Sequence, residues 1–214
     1  MSVVIKICGL SNPETLEAAL DAGADMVGFV FFPPSPRHVT TDQAQALGRR
    51  VKGRALKVAL TVGADDDTLA DIVDALQPDL LQLHGNESLE RLDAIKSRFS
   101  LPVMKAIPVS SATDLTPARA YASAGARILF DAMPPRDADR PGGLGAAFDW
   151  NLLKELDLGP DFMVSGGLDA GNVETAIAIT RPGGVDVSSG VESRPGVKDA
   201  ALIRAFIRAA RAAT

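Results

Sequence analysis

Short apolar runs alternate with amphipathic stretches along the whole chain. The apolar runs, which are rich in Val and Ile, predict eight strands: Val3–Cys8, Met26–Phe31, Leu56–Thr61, Leu80–Leu83, Val103–Ile107, Ile128–Phe130, Phe162–Val164 and Val185–Val187. None of them alternates apolar and polar residues cleanly, which predicts that both faces of each strand are buried, as in a parallel sheet. The amphipathic stretches predict eight helices: Pro13–Asp21, Thr41–Val51, Asp66–Leu76, Ser88–Arg98, Thr116–Ala124, Asn151–Leu156, Asn172–Ile179 and Lys198–Ala212.

Eight strand–helix units in 214 residues predict an α/β fold, a single (β/α)8 TIM barrel that spans residues 1–214 as one catalytic domain. An open, doubly wound sheet is the alternative that this pattern leaves open. The one long irregular segment, Ala132–Ala147, is rich in Pro and Gly and longer than a simple connection needs. We interpret it as a mobile lid over an active site.

The composition excludes several classes of protein. The net charge of −5, with no dense patch of Lys and Arg, argues against a nucleic-acid partner. The longest apolar run, Met26–Phe32, is far shorter than the roughly 20 residues that span a bilayer, and the first residues lack a signal-peptide pattern. A single cysteine, Cys8, precludes an internal disulfide. We therefore expect a cytoplasmic protein with neither a nucleic-acid nor a membrane partner.

Chemistry is expected where strands end, because barrel active sites lie at the C-terminal mouth. Cys8 ends strand 1, Arg37 follows strand 2, His84 follows strand 4 and Asp131 follows strand 6. Each also has a structural interpretation: a packing cysteine, a solvated arginine, a helix-entry histidine and a turn-capping aspartate. Lys6 lies on the same face of strand 1 as Cys8, where its ammonium would favour a thiolate. No cluster of His, Cys and Asp has metal-ligand spacing, so we expect no metal site.

Turns of small residues follow strands 7 and 8. They are Gly166-Gly167 and Ser188-Ser189-Gly190. Small residues let backbone N–H groups approach an anion, and these two loops bind phosphate in many barrels. Either turn alone is compatible with a merely tight connection, but the pair predicts a phosphate site.

Barrel geometry relates these candidates to one another. Strands 8 and 7 lie between strand 1 and strand 6 in a closed sheet, so Cys8 and Asp131 are expected to face each other across the mouth with the phosphate turns between them. A sugar phosphate held there would lie between a thiolate and a carboxylic acid. That arrangement favours proton transfer over hydrolysis.

Seven motifs, in order, resemble those of the phosphoribosylanthranilate isomerase family of tryptophan biosynthesis. They are KICGL (Lys6–Leu10), GADMVGFVFFPPSPR (Gly23–Arg37), LQLHG (Leu81–Gly85), LFDA (Leu129–Ala132), FDW (Phe148–Trp150), SGGL (Ser165–Leu168) and GVDVSSGVES.PGVKD (Gly184–Asp199). The resemblance covers essentially the whole chain. It implies an Amadori rearrangement of N-(5-phosphoribosyl)anthranilate to 1-(2-carboxyphenylamino)-1-deoxyribulose 5-phosphate, a small phosphorylated substrate, without cofactor or metal.

The resemblance also implies roles for individual residues. Cys8 would be the general base that takes the proton from the sugar C2, and Asp131 the general acid that protonates the ring oxygen. Arg37 would meet the anthranilate carboxylate, with His84 and Asp186 as further substrate contacts. The phosphate site would be lined by Gly166, Gly167, Ser188, Ser189 and Gly190.

Three positions depart from the family pattern. After strand 3 the chain has LTVG (Leu60–Gly63) where the family has a sequence close to VFVN, which puts any ligand contact from that loop in doubt. The lid motif has Leu144 in place of a hydroxyl residue, and strand 6 ends in FDA instead of LDT or LDS. None of these changes removes a proposed proton carrier.

Two other functions remain as alternatives. A synthase that makes indole from the isomerase product would need a lysine and a glutamate at strand ends, and only Lys105 has a comparable position. A catalytically silent barrel that binds a phosphorylated ligand would be signalled by loss of a proton carrier, whereas both are present. The sequence leaves open whether the protein is a monomer or a homodimer.

Overall fold

A computed structural model describes residues 3–134, 138, 140–143, 145, 147–154, 156, 158 and 162–213. Its strands are β1 (Val4–Cys8), β2 (Met26–Phe31), β3 (Leu56–Thr61), β4 (Leu80–Leu83), β5 (Val103–Val109), β6 (Arg127–Ala132), β7 (Phe162–Val164) and β8 (Gly184–Val187). Each strand pairs in parallel with the next, and β8 pairs with β1 to close the barrel. The predicted (β/α)8 barrel is confirmed, and the open doubly wound sheet is wrong.

Seven α-helices surround the barrel. They are α1 (Pro13–Asp21), α2 (Thr41–Val51), α3 (Asp66–Leu76), α4 (Leu89–Phe99), α5 (Ala118–Ser123), α6 (Val173–Thr180) and α7 (Ala200–Ala212) among the described residues. Side-chain caps set several of their starts: the Asn12 Oδ1 accepts from the Thr15 N–H before α1, and Ser88 caps α4 in the same way. None of these helices is long and apolar enough to cross a membrane.

Three predicted helices differ from the structure by at least two residues. The helix predicted as Thr116–Ala124 is shorter, spanning Ala118–Ser123 after a 3-10 turn over Ala112–Leu115. The stretch predicted as Asn151–Leu156 forms a single 3-10 turn over Trp150–Leu153, with position 155 outside the described residues. Only Leu153 of that turn is buried, so little apolar surface is available to stabilise a longer helix. The last helix begins at Ala200 instead of Lys198, because residues 192–198 form a hairpin of β9 (Glu192–Arg194) and β10 (Val197–Lys198).

The barrel interior is layered, and the layering positions the site. Its N-terminal half is filled by the apolar side chains of Met26, Val58, Leu80, Met104, Leu129 and Met163. Alternate residues of a strand point to the same face, so the next inward positions of β1, β4 and β8 are those of Lys6, Gln82 and Asp186. All three are buried. One step further along these strands and β6, the side chains at the mouth include those of Cys8, His84, Asp131 and Ser188.

Candidate active site

One cavity at the C-terminal mouth brings the predicted residues together. Its wall contains Cys8, Arg37, His84, Asp131, Gly166, Gly167, Asp186, Ser188 and Ser189. Of the predicted site residues only Gly190 is not part of the wall. Residues from five strands, β1, β2, β3, β6 and β8, and from the loops that follow the strands thus meet at a single concave site, which is where chemistry in this fold is located.

Cys8 lies at the end of β1 with its sulfur inside the barrel. A β-carbon added at Gly28, its partner on β2, would lie 2.9 Å from the Cys8 Sγ and 3.3 Å from the Lys6 Nζ. The sulfur and the ammonium therefore occupy neighbouring space beside Gly28. The prediction that Lys6 shares a face with Cys8 is confirmed, and the absence of a side chain at Gly28 provides the room.

A glycine is required at position 9, directly after Cys8, for two structural reasons. Gly9 has a φ of +80°, and a β-carbon there would lie 2.7 Å from the Arg37 Cδ. Only glycine both adopts this backbone conformation without strain and leaves space for the arginine side chain. The Cys8-Gly9 pair thus places a thiol next to the path of Arg37.

Charged groups around Cys8 act in opposite directions on its pKa. Burial raises the pKa of the Cys8 thiol, Lys6 and Lys198 lower it, and Asp186 raises it; the net effect is a raised pKa. The Lys6 Nζ forms an ion pair of 2.8 Å with the Asp186 Oδ1, and both side chains are buried. Burial lowers the pKa of Lys6, but Asp186 and Cys8 outweigh it, so its pKa is raised and it stays an ammonium. Lys6 thus favours the thiolate, as the sequence predicted, but burial outweighs this effect.

Asp131 is held by a histidine on the neighbouring side of the mouth. The His84 Nε2 lies 3.1 Å from the Asp131 Oδ2, and the His84 Nδ1 lies 3.1 Å from the Gln82 Nε2. The Asp131 Oδ1 accepts a hydrogen bond of 3.0 Å from the Ala132 N–H. Gln82 and His84 are two residues apart in β4 and its loop, so the strand pleat puts both on the interior face. The arrangement connects a candidate acid to a group that exists in charged and neutral forms.

Arg37 is fixed by a glutamate that the sequence reasoning missed. Its Nε and Nη2 donate to the two carboxylate oxygens of Glu192, at 2.7 and 2.9 Å. This bidentate geometry is the strong form of an arginine–carboxylate pair. The Arg37 Nη2 also donates to the Gly143 carbonyl of the lid segment at 3.0 Å. The guanidinium is thus oriented from behind by Glu192 and points its outer edge toward the lid segment.

Lys198 extends this network under loop 8. Its Nζ lies 2.7 Å from the Glu192 Oε1 and donates to the Ser188 carbonyl at 2.8 Å. Burial lowers the pKa of Lys198 to about 8 although Glu192 opposes the shift. Burial also acts to raise the pKa of Glu192, but its pKa is lowered overall because Arg37 and Lys198 outweigh burial. The Pro195-Gly196 turn between Glu192 and Lys198 is a hairpin signal that would have brought the two together.

The two glycine- and serine-rich turns pack against each other. Gly166 has a φ of +83°, and a β-carbon there would lie 2.5 Å from the Ala132 nitrogen. A β-carbon at Gly190 would clash with the Leu168 carbonyl. Gly190 thus lets loop 8 pack on loop 7, a structural requirement that accounts for this glycine without a phosphate. A phosphate role for it stays a prediction.

The described part of the lid segment touches both sides of the cavity. A β-carbon at Gly142 would lie 2.5 Å from the Asp131 Oδ2 and 3.0 Å from the His84 Nε2. A β-carbon at Gly143 would lie 2.5 Å from the Arg37 Nη1. Positions 135–137, 139 and 146 and the residue Leu144 lie outside the described residues. The mobility of the lid therefore stays a prediction, while its contact with Asp131 is observed.

The lysine required by the synthase alternative is held outside the cavity. The Lys105 Nζ lies 3.1 Å from the Glu87 Oε2 and donates to the Ala106 carbonyl at 3.0 Å. Glu87 in turn accepts from the Gly63 N–H at 2.9 Å, in the loop after β3. Lys105 and Glu87 are both absent from the cavity wall. Lys105 and Glu87 thus connect β5 with the loops after β3 and β4.

No group of three or more His, Cys, Asp and Glu side chains is arranged to hold a metal within the part of the chain that the structure describes. The acid–base groups around the cavity are connected pairwise, as ion pairs and hydrogen bonds. The geometry thus provides a thiol, a carboxyl group, a fixed guanidinium and two turns of small residues around one space.

Comparisons with known proteins point in one direction. The sequence model of the family described as N-(5'-phosphoribosyl)anthranilate (PRA) isomerase matches residues 5–209. Proteins of that name from a Bradyrhizobium species and from Nitrobacter winogradskyi are 66% and 65% identical over 213 residues, covering 100% of this chain and 97% and 95% of theirs.

Solved structures agree with the sequence relatives. A crystal structure of phosphoribosyl anthranilate isomerase from Thermotoga maritima superimposes with a TM-score of 0.88 at 36% identity, covering 98% of this chain and 99% of that one. Another structure of such an isomerase, in complex with reduced 1-(o-carboxyphenylamino)-1-deoxyribulose 5-phosphate, has a TM-score of 0.85 at 34% identity with the same coverage.

Proposed function

The chain belongs to the N-(5'-phosphoribosyl)anthranilate isomerase family, and we propose that Cys8 and Asp131 perform the two proton transfers of its reaction. The enzyme converts N-(5-phosphoribosyl)anthranilate to 1-(2-carboxyphenylamino)-1-deoxyribulose 5-phosphate in tryptophan biosynthesis, by general acid–base catalysis. The observation that carries the assignment of residues is that the only thiol of the chain and Asp131 line one cavity from strands on different sides of its mouth.

The first transfer opens the sugar ring. Asp131 gives its proton to the ring oxygen, the bond between that oxygen and C1 breaks, and the nitrogen lone pair forms a protonated Schiff base with C1. The Cys8 thiolate then takes the proton from C2, and the electrons of that C–H bond form the C1–C2 double bond of an enaminol. Tautomerisation moves one proton from O2 to C1 and gives the ketone.

The thiolate needed for the second transfer depends on the cations next to Cys8. Because burial raises the pKa of the thiol, a neighbouring positive charge is required to make the thiolate accessible. Lys6 provides it, since it is buried beside the sulfur and remains an ammonium through its pair with Asp186. Asp186 thus acts on the base through Lys6 in addition to its expected contact with substrate.

Substrate binding uses the opposite ends of the cavity. The phosphate would be held by backbone N–H groups of the Gly166-Gly167 and Ser188-Ser189-Gly190 turns. The anthranilate carboxylate would replace the Gly143 carbonyl as acceptor for Arg37, whose bidentate pair with Glu192 fixes the direction of the guanidinium. His84 and Asp186 line the space between the two ends.

The remaining expectations concern the whole molecule. The barrel functions as one catalytic domain in the cytoplasm, on a small phosphorylated substrate that diffuses to it. One solved structure is that of monomers generated from a dimeric isomerase of Thermotoga maritima, so both a monomer and a homodimer are compatible with the fold.

The test is the loss of activity on removing each proton carrier. Cys8→Ala and Asp131→Asn should each lower kcat/KM by about 10²- to 10⁴-fold, the range of a general acid or base. The assay follows the disappearance of anthranilate-riboside fluorescence, with Asp67→Asn at an exposed helix start as the matched control. Near-normal kcat/KM in either site variant, with an unchanged circular dichroism spectrum, would show that its role is assigned wrongly. Binding of substrate by the unaltered protein without turnover would favour the silent barrel.

A further inference from the structure

Each turnover leaves the two proton carriers in the wrong state for the next one. Asp131 has lost a proton to the ring oxygen, and Cys8 has gained one from C2, whereas the tautomerisation only moves a proton within the product. Asp131 must therefore regain a proton before the next ring opening. This argument rests on the proposed role of Asp131 as general acid.

Asp131 has little direct access to solvent. Its side chain is 7% exposed, compared with 12% for His84. Gly142 of the lid segment packs on the Asp131 Oδ2, and the other carboxylate oxygen accepts from the Ala132 N–H. The titratable group within hydrogen-bond distance of Asp131, and nearer to solvent, is the His84 imidazole at 3.1 Å.

Gln82 stands on the far side of that imidazole and is fully buried. Its Nε2 lies 3.1 Å from the His84 Nδ1, and its Oε1 has no hydrogen-bond partner among the described residues. A side-chain amide exchanges its donor and acceptor by a half-turn. Since no described residue bonds to the Oε1, Gln82 can serve either form of His84. It donates to a bare Nδ1, or after the half-turn accepts from an Nδ1–H.

We propose that His84, supported by Gln82, returns a proton to Asp131 in each turnover. His84 is neutral while Asp131 gives its proton to the ring oxygen. It then takes up a proton from solvent and passes its Nε2 proton to the Asp131 carboxylate. The imidazole that remains keeps its Nδ1–H, which Gln82 accepts. After product leaves, Cys8 releases its proton to solvent, so that the protein ends with the protons it began with. His84 is a positioning and resupplying group for Asp131 in this scheme.

The experiment separates the first turnover from later ones. In His84→Gln, steady-state kcat should fall about 10²-fold, the lower end of what a positioned proton carrier contributes. The first-turnover rate constant, measured by rapid mixing with enzyme in excess over N-(5-phosphoribosyl)anthranilate, should change far less, because that turnover uses the proton already on Asp131. Imidazole added to the buffer should restore kcat in proportion to its concentration.

Two further variants keep the test decisive. Gln82→Met retains His84 but cannot accept from its Nδ1–H, and should show the same pattern with a smaller loss of kcat. His38→Gln, at the other histidine of the chain and outside the cavity wall, should leave both rates unchanged.

Equal loss of the first-turnover and steady-state rates in His84→Gln, with no response to imidazole, would overturn the inference. Failure of the underlying assignment has a different signature: Asp131→Asn would then retain its first-turnover rate. The two failures are therefore distinguishable in one set of measurements.

Discussion

The two sides of the cavity hold their proton carriers with different kinds of partner. Cys8 lies beside a lasting ion pair, formed by Lys6 and Asp186 inside the barrel, and Lys198 under loop 8 is a further amine near it. Asp131 is paired with His84, whose charge is optional, and through it with the uncharged Gln82. A base that must become an anion needs a lasting cation beside it, whereas a permanent cation beside a carboxyl group would keep it ionised and unable to donate. The charged partners of Cys8 thus suit a base, and the His84 partner of Asp131, whose charge is optional, suits an acid.

The largest effect should come from making the acid side resemble the base side. His84→Lys places a permanent ammonium next to Asp131, which should hold the carboxylate ionised and lower the first-turnover rate by about 10³-fold, within the range of losing a general acid. His84→Gln is the matched control, since it removes the imidazole without adding a fixed charge. A first-turnover rate in His84→Lys as high as in His84→Gln would contradict this account of the acid side.

A smaller effect on catalysis is expected from removing the carboxylate charge of Glu192, which holds Arg37 in place. Glu192→Gln removes one charge of a buried network and leaves Arg37 and Lys198 without their shared carboxylate. Breaking a buried pair in this way typically costs about 3–5 kcal/mol in the free energy of unfolding. Urea unfolding should show a loss of that order together with a raised KM. Glu17→Gln, at the exposed Arg54 pair, is the control and should change little. Equal effects of the two substitutions would mean that Glu192 is not an anchor.

The contact between Gly142 of the lid segment and Asp131 predicts a loss of kcat when the glycine is enlarged. Gly142→Ala would place a methyl group 2.5 Å from the Asp131 Oδ2, so the lid segment must move outward. Misplacement on the scale of an ångström lowers rates by up to about 10²-fold, and we expect about tenfold in kcat. Gly171→Ala, outside the cavity wall and with only a 3.3 Å contact to the Asp169 Oδ1, serves as the control. An unchanged kcat in Gly142→Ala would show that the segment does not need this approach.

The smallest effects concern the ionisation of Cys8 alone. Because burial raises the pKa of this thiol, its alkylation by iodoacetamide should have a midpoint above the ordinary value of 9.0. Lys6→Met should move the midpoint further up, since it removes the ammonium that favours the thiolate. Mass spectrometry follows the reaction without interference, because Cys8 is the only cysteine. An unchanged or lowered midpoint in Lys6→Met would contradict the role given to this ammonium.

The sequence predicted those parts of the fold and site that depend on local pattern. Buried runs ending in Cys8 and Asp131 indicated both the barrel and the end at which chemistry is located, because strand ends meet at one mouth. Gln82 could also have been identified as a candidate from the sequence, because it is a polar residue between two leucines of a buried strand, two positions before His84. Its significance depends on which side chains cross the barrel, which periodicity does not specify.

Other features depend on long-range contacts that no local pattern specifies. Glu192 and Lys198 reach Arg37 only because a hairpin folds back beside β2, and the same hairpin delays the start of the last helix to Ala200. The raised pKa of Cys8 is a balance among burial, the charges of Lys6 on β1 and Asp186 on β8, and the charge of Lys198 on the hairpin, so it could not be read from the proximity of Lys6 alone. The packing of Gly190 against the Leu168 carbonyl is another long-range contact, which its sequence neighbours do not reveal.

The central claim is that Asp131 opens the ring and Cys8 removes the C2 proton, and the deuterium isotope effect at C2 tests it most directly. The measurement compares kcat/KM for substrate carrying hydrogen or deuterium at C2 in Asp131→Asn and Cys8→Ser. In Cys8→Ser, removal of the C2 proton becomes rate-limiting, so the account predicts a large primary effect. In Asp131→Asn, ring opening becomes rate-limiting, so the effect should fall toward unity. A large effect in Asp131→Asn with none in Cys8→Ser, or equal effects in both, would contradict it.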